Sequence, residues 1–257
     1  MEAQRLNALH GWEWIKRGYA LFMKAPLLWI VLLMICLAAA IGLSSVPVVG
    51  EPLLTLLMPV VLAGLMLGCQ TLERGEELEL AHLFSGFSRH TSHLITLGGI
   101  SLVSQFLIFG LMMAAGGAAL VSILMSGQPD PDPAIVMQAL SGAGFAIIIG
   151  TVLFCTLMMA MQYAPMLVFF DNVAPMKAMK LSLSAYVRNV GPMLVYVTTY
   201  LLIALLASLP MLLGWLVVLP LTFTSLYVSY RDIFPHVTAP PAAENPVNDF
   251  TPDKDAF

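Results

Sequence analysis

The sequence predicts an all-α membrane protein with six transmembrane helices. Three observations carry this: charge is scarce, it is segregated, and the uncharged runs have bilayer length. Of 257 residues, 59% are apolar and 10% charged, whereas a soluble domain carries about 25% charged residues to cover itself. A helix needs roughly 20 apolar residues to cross about 30 Å of hydrocarbon. Runs without Asp, Glu, Lys, Arg or His occupy 25–50, 52–72, 94–129, 133–170 and 189–230.

Each run resolves into crossings. Val46-Pro47-Val48-Val49-Gly50-Glu51-Pro52 has the composition of a tight turn, so the first crossings are expected at 26–46 and 53–72. A polar stretch from Glu73 to His93 follows. The next two crossings are expected at 95–125 and 143–169. Between them, Gln128-Pro129-Asp130-Pro131-Asp132-Pro133 cannot be helix interior, because proline lacks the N–H and clashes with the preceding turn. Whether 134–142 forms an extra outer helix is left open. The last run has 42 residues, which as one helix would extend about 63 Å. It must fold back near Pro210 to Gly214, giving crossings at 191–209 and 213–230. Residues 1–234 thus form a single integral membrane domain. The tail 235–257, rich in Pro, Ala, Asn and Asp, has little to bury and is expected to be disordered.

Charge sets the orientation. Lys and Arg are retained on the cytoplasmic side of short loops. With six crossings, Arg5, Lys16, Arg17, Lys24, Arg74, Arg89, Lys177, Lys180, Arg188, Arg231 and Lys254 share one side, and these are all 11 basic residues. The opposite loops hold only Glu51, Asp130 and Asp132. Both termini are therefore expected in the cytoplasm. No cleaved signal peptide is expected, since Glu2, Arg5, Glu13, Lys16, Arg17 and Lys24 precede the first apolar run.

A pattern recurs three times, at roughly 8–72, 78–170 and 173–231: a short amphipathic stretch, a helix, an outer turn and a returning helix. Trp12, Trp14, Ile15, Tyr19 and Phe22 lead the first unit. Met176, Met179, Leu183 and Val187 lead the third, beside a stripe of Lys177, Lys180, Ser184 and Arg188. Spacings of three and four put each set on one helix face. Such helices are expected to lie in the cytoplasmic interface, apolar side chains dipped in and cations towards anionic headgroups. Pro26 and Pro192 mark the bends into the bilayer. The middle unit (Leu83, Phe84, Phe87, Arg89, His93) fits the pattern poorly.

Met161-Gln162-Tyr163-Ala164-Pro165-Met166-Leu167-Val168-Phe169-Phe170-Asp171-Asn172, then Pro175, Ala178, Ser182 and Asn189-Val190-Gly191-Pro192, resembles a recurring bacterial pattern. It occurs in uncharacterised six-helix inner-membrane proteins and is similar to the membrane region fused to some glycerophosphodiester phosphodiesterases. The ending Tyr227-Val228-Ser229-Tyr230-Arg231-Asp232-Ile233-Phe234 and the opening Gly18-Tyr19-Ala20-Leu21-Phe22 with Pro26 also fit. The resemblance implies a bacterial inner membrane and no known activity. The phosphodiesterase domain is absent from this chain, so its chemistry does not carry over.

No Asp, Glu, Lys, Arg or His falls within an expected crossing. Coupled carriers and pumps place such groups at membrane depth, so this speaks against them and against intramembrane acid–base catalysis. His82, His90 and His93 share an acidic loop with Glu73, Glu76, Glu77 and Glu79; without a fixed third ligand they read better as interfacial polar residues than as a metal site. Asp171 and Asn172 read as caps of the following helix, and Arg231-Asp232 as a helix-end anchor. Cys36, Cys69 and Cys155 lie in apolar runs and suit neither a disulfide framework nor zinc. The candidate interfacial motif is Pro165, Asp171, Asn172, Pro175, Lys177, Lys180, Ser184, Arg188, Asn189, Pro192, Tyr230, Arg231 and Asp232. Ser101, Ser104, Gln105, Thr151, Thr156 and Gln162 are the main polar groups at depth and the candidate lining of a small cavity.

The expected function is non-enzymatic: an envelope scaffold or accessory factor that organises lipid or a partner through its cytoplasmic amphipathic helices. The alternative is a passive transporter, channel or lipid-handling protein with a cavity among the helices. Membrane lipids are the expected partners, with a protein on the cytoplasmic side as a further candidate. No cofactor is expected, and no basic stripe points to nucleic acid.

Overall fold

The computed structural model describes residues 2–118, 121–122, 125, 132–209, 211 and 213–235. The tail beyond 235 and the whole of 126–131 lie outside them. Among the described residues all regular structure is helical: α1 (His10–Phe22), α2 (Pro26–Ser44), α3 (Gly50–Glu73), a 3₁₀ helix (Leu80–Phe87), α4 (Thr91–Met112) running into a π-helical turn (Met113–Gly117), α5 (Pro133–Gln162), α6 (Ala164–Asp171), α7 (Pro175–Arg188), α8 (Val190–Ser208) and α9 (Trp215–Ile233).

Proline starts several of these helices. Pro26, Pro133 and Pro175 open α2, α5 and α7, where a missing N–H is harmless and φ is already set. Asp132 caps α5 by accepting from the Ala134 N–H at 2.8 Å. The stretch 134–142 is the first part of α5, not a separate helix. Pro165 interrupts the α5 ladder, so the chain breaks at Tyr163 and resumes as α6. Pro59 and Pro220 lie inside α3 and α9.

Five helical stretches are long and apolar enough to cross a membrane: 26–44, 50–73, 91–115, 133–171 and 190–208. Helix α9 is the difference from the expected six. It carries Thr222, Thr224, Ser225, Ser229, Arg231 and Asp232, which lower its hydropathy. It is also deeply packed, with Leu221, Thr224, Ser225, Tyr227, Ser229 and Tyr230 all buried. Leu216, Val217 and Leu219 in its first turns stay exposed. The later, hydroxyl-bearing part packs against neighbouring helices among α1, α2, α3 and α8 and meets other side chains instead of lipid, so it can carry hydroxyls that a lipid-facing segment cannot.

Of the short helices, α1 sits differently from expectation, while Phe84 and Phe87 of the 3₁₀ helix and Met176 and Val187 of α7 stay exposed. Helix α1 lies on α8 and α9, the 3₁₀ helix on α3, and α7 on α5 and α6. Trp14 is fully buried, and Ile15, Leu21 and Phe22 nearly so, while Trp12 and Tyr19 remain about half exposed. The apolar face of α1 is thus docked on protein. Its glycines make this possible: a Cβ on Gly18 would stand 2.7 Å from the Ser225 backbone, and one on Gly11 2.2 Å from the Pro192 carbonyl oxygen. Only a helix without side chains at those two positions can approach so closely.

Candidate functional site

The polar chemistry of the described residues gathers at one end of the bundle, where α3, α6 and α9 finish. Each ends on or beside an acid: Glu73, Asp171 and Asp232. A helix C-terminus carries partial negative charge, so a carboxylate there needs donors to be held. The last turns of α9 supply or receive them. The Tyr227 hydroxyl donates to Glu73 at 2.7 Å, and Arg231 pairs with the same carboxylate at 3.1 Å. The Tyr230 hydroxyl donates to Asp171 at 2.9 Å. Asp232 accepts from the Trp14 indole at 2.9 Å and from the Arg17 guanidinium at 2.8 Å, with His10 Nδ1 3.5 Å away. Four consecutive-turn residues of α9 thereby tie together α1, α3 and α6.

A second knot fixes the N-terminal segment. Asn189 is fully buried; its Oδ1 accepts from the Leu6 N–H at 2.8 Å, and its Nδ2 donates to the Gln4 and Ala185 carbonyls at 2.8 and 3.0 Å. The Gln4 N–H reaches the Ile233 carbonyl at 2.9 Å. Arg188 bridges to Glu2 at 2.9 Å. Between the knots runs a layer of hydroxyls. Ser182 donates to the Met159 carbonyl at 2.6 Å and accepts from the Tyr163 N–H at 3.1 Å, which satisfies groups freed by the break before Pro165. Tyr163 meets Ser229 at 3.0 Å, Tyr196 meets Ser225 at 2.8 Å, and Tyr200 bonds Thr222. The Tyr186 hydroxyl donates to Gln162; burial pushes its pKa up, so it stays protonated as a donor.

The structure divides the candidate interfacial motif. Asp171, Tyr230, Arg231 and Asp232 come together at the end of α9, and Arg188 and Asn189 at the N-terminal knot. Pro165 and Pro192 are buried in packing, and Pro175 opens α7. Lys177 and Lys180 face outward, and Ser184 bonds the Leu181 carbonyl at 2.9 Å. Asn172 does not cap α7, whose N-cap is Ala174 without a side-chain bond. It adopts φ 52° and closes the C-terminus of α6, its N–H reaching the Val168 carbonyl at 3.1 Å. Asparagine tolerates this left-handed conformation better than most residues. Asp171 bonds Tyr230 instead of a helix start.

The deep polar residues are not brought into one place. Gln105 donates to Ser101 within α4 at 3.2 Å, and Ser104 is half-buried. Thr151 and Thr156 are exposed, the latter bonded to the Val152 carbonyl at 2.8 Å. Gln162 belongs to the Tyr186 bond. Of the loop histidines, His82 accepts from the Glu79 N–H at 2.9 Å and meets Thr71 at 3.3 Å, while the His90 and His93 rings stack 6.4 Å apart. Two clefts, of about 460 and 190 Å³, open at the same end as the acid network and share Lys24.

Several members of the network escaped the sequence reading: Glu73 as partner of α9, Ser182, Ser225 and Ser229 as cross-helix hydrogen-bond partners, and Trp14 as a buried donor. Gly11 and Gly18, seven residues apart on one face of α1, were the available signal for the docking of that helix.

No family model matches the chain, and no solved structure does. A probable inner membrane protein of Burkholderia thailandensis is 30% identical over 258 residues, covering 91% of this chain and 94% of the relative. The resemblance to the membrane region of phosphodiesterases therefore rests on its residues alone.

Proposed function

This chain belongs to the same family as that probable inner membrane protein of Burkholderia thailandensis, and from this we propose that it is a non-enzymatic scaffold or accessory factor of the bacterial inner membrane. In this reading α9 is a sixth crossing, shielded by its neighbours. Both termini are cytoplasmic. The bundle end that gathers α1, the 3₁₀ helix, α7 and the acid network is a rigid cytoplasmic platform, which engages membrane lipid and a protein partner through its exposed basic residues.

The observation that carries the reading is that the acids at the ends of α3, α6 and α9 are bonded inward while two of the three α7 cations are not. Glu73, Asp171 and Asp232 are engaged by α9 and α1, and Lys177 and Lys180 stand exposed. With those three acids engaged, the open cations of α7 form a patch that attracts anionic headgroups, each cation contributing on the order of 1 kcal/mol near the membrane. Three short helices, each packed on a returning helix (α1 on α9, the 3₁₀ helix on α3, α7 on α5), also support the threefold hairpin repeat. The transporter or channel alternative draws no support from Ser101, Ser104, Gln105, Thr151, Thr156 and Gln162, which the structure disperses.

The test is reconstitution into vesicles containing anionic lipid, with lipid order read from a fluorescent probe. The proposal expects the wild-type chain to order neighbouring lipid and Lys177→Gln with Lys180→Gln to lose much of that effect. No effect on lipid order, combined with no stable partner on cross-linking in intact cells, would overturn it.

A further inference from the structure

We propose that the larger cleft, between the start of α2 and the turn after α3, binds the zwitterionic headgroup of an aminophospholipid, with Lys24 on its phosphate and Glu76 and Glu77 on its primary ammonium. This rests on the reading that this end of the bundle lies at the cytoplasmic membrane interface.

The cleft is built by the way α3 ends. Gly75 takes φ +83°, the Glu76 N–H bonds the Thr71 carbonyl at 3.1 Å, and the Gly75 N–H bonds that of Leu72 at 3.2 Å. This is a Schellman closure, which reverses the chain. Leu78 is then buried against α3, where a Cβ on Gly68 would stand 2.7 Å from its Cδ1. Glu76 and Glu77 are thereby held along one wall of the cleft, with Lys24 also in its lining. Lys24 donates one N–H to the Leu72 carbonyl at 2.6 Å, which fixes its head and leaves two donors free.

The charges of this cleft differ from those of the network beside it. Arg17 and Glu73, in the adjoining small cleft, are already held by Asp232 and Arg231. Among the described residues Lys24, Glu76 and Glu77 have no ion-pair partner. One cation and two carboxylates repel a purely anionic headgroup and suit one that carries its own cation. A primary ammonium donates charge-assisted bonds to carboxylates, and a quaternary one cannot. The lining has no aromatic residue to form the cage that choline needs. Leu28 and Leu72 form apolar walls, at the level where α2 enters and α3 leaves the apolar stretch. Its volume of about 460 Å³ lies within the roughly 300–1,000 Å³ usual for small-ligand pockets.

The experiment is native mass spectrometry of the purified full chain with an equimolar mixture of phosphatidylethanolamine, phosphatidylglycerol and phosphatidylcholine. The expected result is retention of phosphatidylethanolamine about tenfold above the other two, the ratio one charge-assisted bond supplies. Glu76→Gln with Glu77→Gln should bring it down to the phosphatidylcholine level; Lys24→Gln should weaken both, with unchanged elution on gel filtration. Wild-type selectivity needs no variant to be read. Equal retention of all three, or preference for phosphatidylglycerol, would overturn the inference while leaving a lipid-engaging platform intact. Retention of no phospholipid would overturn both. Displacement by soluble glycerophosphoethanolamine at a concentration equal to the lipid's would overturn the lipid assignment in favour of the free headgroup.

Discussion

Helix α1 buries an aromatic face against α8 and α9, whereas α7 lays a stripe of small residues (Ala178, Ser182, Ala185) on α5 and α6 and leaves Lys177 and Lys180 in the open. Both are amphipathic helices that precede a long apolar one. The difference lies in what the contact face must match. Helix α9 offers α1 bare backbone at Ser225, so α1 needs glycine there and can then close Trp14 over Asp232. Helix α5 offers α7 a broken ladder at Met159 to Tyr163, so α7 brings a hydroxyl, Ser182, to repair it. Amphipathicity marks which face is buried; the partner's geometry decides whether it is buried in lipid or in protein.

The comparison can be broken most severely at α1. Gly18→Leu would drive a side chain into the Ser225 backbone and should destabilise the protein by about 3 kcal/mol, the upper end of overpacking costs, read as loss of monodisperse protein and a lower Tm in detergent. On α7 the matching change is Ser182→Ala, which strands the buried Tyr163 N–H and should cost about 2 kcal/mol, measured by thermal unfolding. Asp232→Ala leaves the Trp14 indole and Arg17 without their acceptor and should cost about 1–2 kcal/mol; Asp232→Asn, which keeps an acceptor for the indole, should recover part of it. Lys177→Gln with Lys180→Gln sharpens the contrast from the other side. These exposed residues should shift stability by no more than about 0.5 kcal/mol while weakening sedimentation with anionic vesicles.

Much of this architecture was legible because hydrocarbon imposes a simple length rule. The turn at 46–52 follows from composition, and α2 and α8 stop within two residues of the expected crossings; the expected corner at Pro210 to Gly214 lies partly outside the described residues. What escaped was set by partners distant in sequence. Nothing local to Asp171 says that Tyr230 will meet it, 59 positions on, so the pair Asp171 and Asn172 reads as an N-cap when only the second acts at a helix end, and at the C-terminal one. Nothing local to α9 says that its six polar residues are shielded by neighbours. Likewise Glu73 belongs to an acidic loop in the sequence and to Arg231 and Tyr227 in the fold, 154 residues from the latter. The deep hydroxyls were visible as residues, but their dispersal over α4 and α5 depends on helix rotation, which periodicity does not give in helices that are apolar all round.

The central claim, that every Lys and Arg among the described residues lies on one cytoplasmic platform, is tested most directly by cysteine accessibility in intact cells. Cys36, Cys69 and Cys155 are replaced, and single cysteines are introduced as Ser45→Cys, Ser126→Cys and Ser85→Cys. The account predicts labelling by an impermeant thiol reagent at 45 and 126, and protection at 85 until the membrane is opened. Labelling at 85 from outside, or protection at 45, would contradict it.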